Sequence, residues 1–103
     1  MDPILKEIVS RLVARLHPTR VYLFGSMARG EASSASDYDV LLVVPDSATP
    51  THRREMEACD ALWGIAAPID VLVWSESEFE RRLVARASLP ATVVREGVLL
   101  HAA

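Results

Sequence analysis

The sequence predicts an α+β domain, with a small mixed β-sheet of three or four strands and helices packed mainly on one face. Three observations predict it. Short apolar runs rich in β-branched residues (RVYLF, DYDVLLVV and IDVLVW) alternate with segments of helical spacing. Gly, Pro, Ser and Asp punctuate the junctions between them. Half of the 103 residues are hydrophobic, enough apolar material for one core, read as a single domain over residues 1–103.

Taken in order, Ile4, Leu5, Ile8, Val9, Leu12, Val13 and Leu16 recur at helical spacing, with Lys6, Glu7, Ser10 and Arg11 opposite. That is an amphipathic helix over 3–16, with Asp2 as N-cap, Pro3 at the first helical position and His17-Pro18 as its end. Arg20–Phe24 is a short strand. Gly25 closes it, and Ser26–Arg29 forms one or two helical turns that Gly30 stops in a left-handed cap. Glu31–Ser36 is a polar loop before the strand Asp37–Val44.

Thr49-Pro50 then opens a helix running to about Trp63, expected to bury Met56, Cys59, Leu62 and Trp63. Gly64–Pro68 breaks the chain before the strand Ile69–Trp74. The run Ser75-Glu76-Ser77-Glu78 is a capping box that starts a helix burying Phe79 and Leu83. Pro90–Glu96 is a last short helix ended at Gly97, ahead of Val98–Leu100. Periodicity does not set the order of the strands.

Composition narrows the function classes. The single cysteine, Cys59, allows no intrachain disulfide and suits a reducing cytoplasm; it is read as a small buried apolar residue. No apolar stretch is long enough to span a membrane, and the first residues lack the pattern of a signal peptide. A formal net charge of −3 argues against direct nucleic-acid binding by bulk electrostatics. Arg53-Arg54 and the group Arg81, Arg82 and Arg86 read as solvated faces, with a patch for an RNA or acidic protein partner as the alternative. His17, His52 and His101 lack metal-ligand spacing, which disfavours zinc.

The chemistry concentrates in two places. Asp37 and Asp39 stand at i and i+2 of one strand, so their carboxylates share a face and repel. A divalent cation relieves that repulsion, and oxygen-only ligands favour Mg²⁺ or Mn²⁺. Asp70 opens another apolar strand; if the two strands are neighbours, it completes a two-metal site. The alternative for Asp70 is a turn residue after Pro68. Gly25-Ser26 supplies a phosphate end: glycine admits a close approach, backbone N–H groups open the turn, and the Ser26 hydroxyl can donate. Arg29, one turn on, can bring a planar cation to the same oxygens, or pair with Glu31 instead.

Gly25-Ser26-Met27-Ala28-Arg29-Gly30 followed by Ser36-Asp37-Tyr38-Asp39-Val40 resembles the GSxARG…SDxD signature of the polymerase-beta-type nucleotidyltransferases. The length and the closing Glu96-Gly97-Val98-Leu99-Leu100 are similar to the minimal branch, whose members often serve as antitoxins of HEPN-domain toxins. The resemblance implies the polymerase-beta-type fold and roles by position. Gly25 and Ser26 would bind the triphosphate and Arg29 would be a second phosphate contact. Asp37 and Asp39 would be the two-metal ligands, and Asp70 the third catalytic acid. It further implies an NTP donor, with ATP expected and AMP the group transferred, Mg²⁺ (or Mn²⁺) in a two-metal site as cofactor, and a HEPN toxin as partner. Larger relatives carry a helical second domain that helps to bind the acceptor, so here the acceptor would dock from another chain or sit in a dimer cleft. The alternatives are a non-catalytic antitoxin that neutralises a HEPN RNase by binding, and a small-molecule, antibiotic-type nucleotidyltransferase.

Overall fold

The computed structural model describes residues 2–30 and 37–103; the expected loop Glu31–Ser36, with Ser36 and the Glu31 partner for Arg29, lies outside them. Nine elements follow one another among the described residues: α1 (Pro3–Leu16), β1 (Arg20–Phe24), α2 (Gly25–Ala28), β2 (Tyr38–Val44), α3 (Thr51–Ala61), β3 (Ile69–Ser75), α4 (Glu76–Leu83), α5 (Leu89–Glu96) and β4 (Val98–Ala102). The strands form one mixed sheet in the order β3-β2-β1-β4. β1 runs antiparallel to β2 and β4, whereas β2 and β3 are parallel and joined through α3. A parallel pair requires such a crossover, and this is why a helix separates the two acid-bearing strands.

Strand alternation sends side chains to two hydrophobic layers. Val21 and Leu23, with Tyr38, Val40, Leu42, Val44 and Val73, meet Leu5, Ile8, Leu12 and Leu16 of α1 and Ala58 of α3. On the opposite face Tyr22, Leu41 and Val43 meet Phe79 of α4 and Val93 of α5. The larger helical layer lies on one face, as expected, but the second face is also covered by two short helices. β2, central and buried on both sides, therefore reads as an unbroken apolar run.

The helix starts follow their residues. Asp2 accepts from the Leu5 N–H at 2.7 Å, and the Tyr38 hydroxyl donates to the same carboxylate at 3.3 Å, tying the start of α1 to the start of β2. Ser75 caps α4 by accepting from the Glu78 N–H. The reciprocal half of the expected capping box is not made: the Glu78 carboxylate pairs with Arg81 and Arg82 instead. Asp46 accepts from the Ser77 N–H at 3.0 Å and completes that helix start.

The orientation of α3 corrects the sequence expectation. Ala58 and Leu62 face the sheet, while Met56 is 65% exposed, Trp63 is 85% exposed and Cys59 lies on the surface. The physical reason lies with two charged residues on the inner side. Glu55 turns inward to accept the Val73 N–H at 3.0 Å, and Arg54 donates to the Leu16 carbonyl at 2.7 Å. These bonds rotate the stripe of Met56, Cys59 and Trp63 outward. The helix also begins without a side-chain cap, with Pro50 rather than Thr49 at the N-cap position.

Candidate active site

The register of the sheet decides where the acids stand. Asp39 pairs with Asp70 across the parallel β2–β3 ladder, and with Phe24 across β1–β2. Along β2, Asp39 shares its face with Leu41 and Val43; along β3, Asp70 shares that face with Leu72 and Trp74. Asp37, one residue ahead of β2, has the same parity as Asp39. All three acids therefore gather at one end of the sheet, on the face covered by α4 and α5. Asp39 is half-buried, and Asp37 and Asp70 are exposed.

Burial, followed by the like charges of Asp70 and Asp37, pushes the Asp39 carboxyl above its ordinary range. This is the effect expected of a carboxylate removed from water beside two others. The three groups stay apart: among the described residues no three His, Cys, Asp or Glu side chains converge closely enough to enclose an ion. The donor set consists of carboxyl oxygen atoms alone, which fits a hard divalent cation. Asp39 and Asp70 stand in register on neighbouring strands, and Asp37 precedes Asp39 at the head of β2.

Gly25 borders Asp39 directly. Its φ of +75° lies in the left-handed region, and a Cβ built there would approach Asp39 Oδ2 to 2.3 Å. A glycine is needed both for the turn leaving β1 and for the space that the carboxylate occupies. The sequence suggested the first need; the second appears only once β1 and β2 are paired.

The one-turn helix α2 follows at once. Ser26 is half-buried in it, and Arg29 caps its C-terminus, with its N–H donating to the Gly25 carbonyl at 3.2 Å. The Arg29 side chain is exposed and engaged in an interaction of its own. Gly30 adopts φ +73° with open space around it, as expected of a helix-ending glycine. Phe24, Gly25 and Arg29 share a small cleft of about 100 Å³ with Leu89, Thr92, Val93 and Glu96. Sequence reasoning did not connect α5 with this site. The closing run that starts at Glu96 pointed to the family and not to the site, and only the packing of α5 on β1 brings Thr92 and Glu96 to the cleft. A wider groove of about 640 Å³ runs along the outer edge of β3, past Glu55, Val73 and Trp74, away from the acids.

Comparison with known proteins identifies the family and the fold. Residues 3–98 match the family model described as a nucleotidyltransferase domain. A candidate nucleotidyltransferase from Sulfolobus solfataricus has a similar crystal structure. It shows 27% identity and a TM-score of 0.63, over 93% of this chain and 75% of that one. A toxin–antitoxin crystal structure with AMP-PNP shows a similar fold at 19% identity and a TM-score of 0.61, over 95% of this chain and 73% of the other. No curated protein gives a significant match. No described helix is long and apolar enough to cross a membrane. With the family model spanning nearly the whole chain, and with a mixed sheet as expected for it, the chain belongs to the nucleotidyltransferase domain family.

Proposed function

We propose that the chain transfers a nucleoside monophosphate, AMP from ATP in the simplest case, to a hydroxyl on a partner protein. The observation that carries this reading is the register match of Asp39 and Asp70, beside Asp37 and against Gly25. Asp37, Asp39 and Asp70 would hold the metals, and Gly25, Ser26 and Arg29 the triphosphate. Bound divalent cations, Mg²⁺ or Mn²⁺, would supply charge neutralisation for the phosphates and Lewis-acid activation of the acceptor oxygen.

The chain's own residues do the rest by placement. In the transfer, the acceptor oxygen bonds to the α-phosphorus, the α–β bridging P–O bond breaks, and pyrophosphate departs. The acceptor hydroxyl loses its proton on the Asp70 side, where the carboxylate is open to solvent. Asp39, half-buried, stays fixed against Gly25, and the α2 turn presents the Ser26 hydroxyl and Arg29 to the phosphate oxygens. Positioning and neutralisation are what phosphoryl-type transfer mostly requires.

The fold shared with a toxin–antitoxin complex supports a toxin as the acceptor protein, in our reading a HEPN RNase silenced by modification. Incubation with labelled ATP, Mg²⁺ and the product of the adjacent gene should label that product. Asp39→Asn and Asp70→Asn should abolish the labelling. No transfer with any NTP in Mg²⁺ or Mn²⁺ would overturn the proposal.

A second reading follows from the open spacing of the acids: an antitoxin that neutralises by covering its partner. It predicts that Asp37→Asn/Asp39→Asn protects cells from the toxin as well as the wild type does.

A further inference from the structure

On the opposite side of the molecule, the outer face of α3 carries a charge pattern that runs against its own helix. Its first turn holds His52, Arg53 and Arg54 and no acid, and its last turn holds Asp60 and no base. Positive charge at the N-terminal end and negative charge at the C-terminal end both oppose the helix dipole. Arg54 is engaged elsewhere, with Glu57 and the Leu16 carbonyl. Arg53 and Asp60 form no ion pair among the described residues. Between them lies Met56, 65% exposed, and beyond Asp60 lies Trp63, 85% exposed. His52, Arg53, Met56, Glu57 and Asp60 line a shallow groove of about 480 Å³ on this face.

A second helix of the same sequence, laid antiparallel, answers each of these features. We infer that α3 pairs with α3 of a second copy about a two-fold axis between Met56 and Glu57. On that axis Arg53 stands level with Asp60 of the second copy, and the pair occurs twice, as an isologous contact requires. The helix dipoles then run antiparallel, so each unfavourable terminal charge faces an opposite one. The two Met56 side chains flank the axis, and each Trp63 overlies the first turn of the other helix, where Pro50 and Arg53 offer an apolar surface and a cation for its ring. Complementary charge fixes the direction of pairing, and the methionine and tryptophan supply the apolar anchor. The acids face the other side of the sheet, so this dimer leaves both candidate active sites open to an acceptor from a different chain.

Sedimentation equilibrium on the full chain should show a monomer–dimer equilibrium. Arg53→Asp or Asp60→Arg alone should raise the dimer dissociation constant at least about tenfold, because each creates two like-charge contacts. The double variant should return to within about threefold of wild type, the non-additivity of a direct pair. Cys59 provides an independent reading. On this axis the two Cys59 Cα atoms are offset by about 7.5 Å along the helices at the usual rise per residue, within reach of a short bismaleimide. Cross-linking should follow the same pattern through the charge variants. A chain that stays monomeric, a dimer indifferent to both single reversals, or reversals that merely add in the double variant would each overturn the inference.

Discussion

The Asp39 carboxylate fills the space that a side chain at Gly25 would need. The hypothetical Cβ lies 2.3 Å from Asp39 Oδ2, closer than any real contact tolerates. Gly25→Ala therefore carries two costs. A left-handed φ in an L-residue costs about 1–2 kcal/mol, and Asp39 must shift. We expect a lowered melting temperature and a transfer rate reduced at least about a hundredfold, the usual effect of moving a reacting group by an ångström. Thermal unfolding and single-turnover transfer measure the two effects separately; near-normal activity would mean that Asp39 is not held where the reaction needs it.

Asp39 should also reveal itself through pH. Burial and its acidic neighbours raise its pKa in the folded state above the ordinary carboxylate value of 3.8. In that window the folded state binds more protons than the unfolded, so stability falls as pH rises through it. The cost is absent below the unfolded value and fully present above the folded one. Asp39→Asn should remove this slope, leave the metal-free protein as stable as wild type or more so, and cut transfer by about three orders of magnitude. Mg²⁺ or Mn²⁺ should raise the wild-type melting temperature and leave that of the variant almost unmoved. Equal metal stabilisation of both proteins would count against Asp39 as a ligand. Asp46 has the opposite sign: the Ser77 N–H lowers its pKa, so its contribution is lost as pH falls through the carboxylate range.

Glu55 protects a sheet edge. Its carboxylate accepts the Val73 N–H, a group on the outer strand β3 that would otherwise face solvent or another chain. Glu55→Ala should cost about 1–2 kcal/mol in urea unfolding and speed exchange of the Val73 amide. Glu55→Gln, which keeps an acceptor oxygen, should recover most of both. An unprotected edge also invites strand pairing between molecules, so the alanine variant should aggregate more readily on mild heating.

Two glycines separate shape from conformation. At Gly97 a Cβ would lie 2.6 Å from the Val93 carbonyl oxygen and 2.7 Å from that of Leu23, both backbone atoms that cannot step aside. Its φ of −86° is ordinary. Gly30 has the reverse problem: φ +73° with nothing nearby. Gly97→Ala should cost about 2–3 kcal/mol as overpacking, against about 1 kcal/mol for the left-handed φ in Gly30→Ala. Similar losses at both positions would contradict this division.

Much of this was legible in the sequence because the signals were local. Asp2-Pro3 fixed the start of α1, Ser75 that of α4, and the apolar runs marked β1, β2 and β3 within a residue or so. The i, i+2 spacing put Asp37 and Asp39 on one face, and the β2–β3 register then set Asp70 beside them. The face of α3 was misjudged because a stripe of Met56, Cys59 and Trp63 satisfies helical periodicity as well as Ala58 and Leu62 do. Only the hydrogen bonds of Arg54 and Glu55 decide which stripe turns inward. The α5 side of the cleft was invisible for a similar reason: the closing run from Glu96 signals the family, whereas Thr92 and Glu96 reach the cleft only through packing between distant segments.

The parallel pairing of β2 and β3 bears on how the acidic pair comes into being during folding. Asp39 and Asp70 are brought together by a crossover through α3, a loop closure that ranks among the slower steps for a small chain. An unfolded chain keeps them far apart and offers no chelate. Divalent ions should therefore slow unfolding far more than they speed refolding, unless the crossover is already docked at the rate-limiting step.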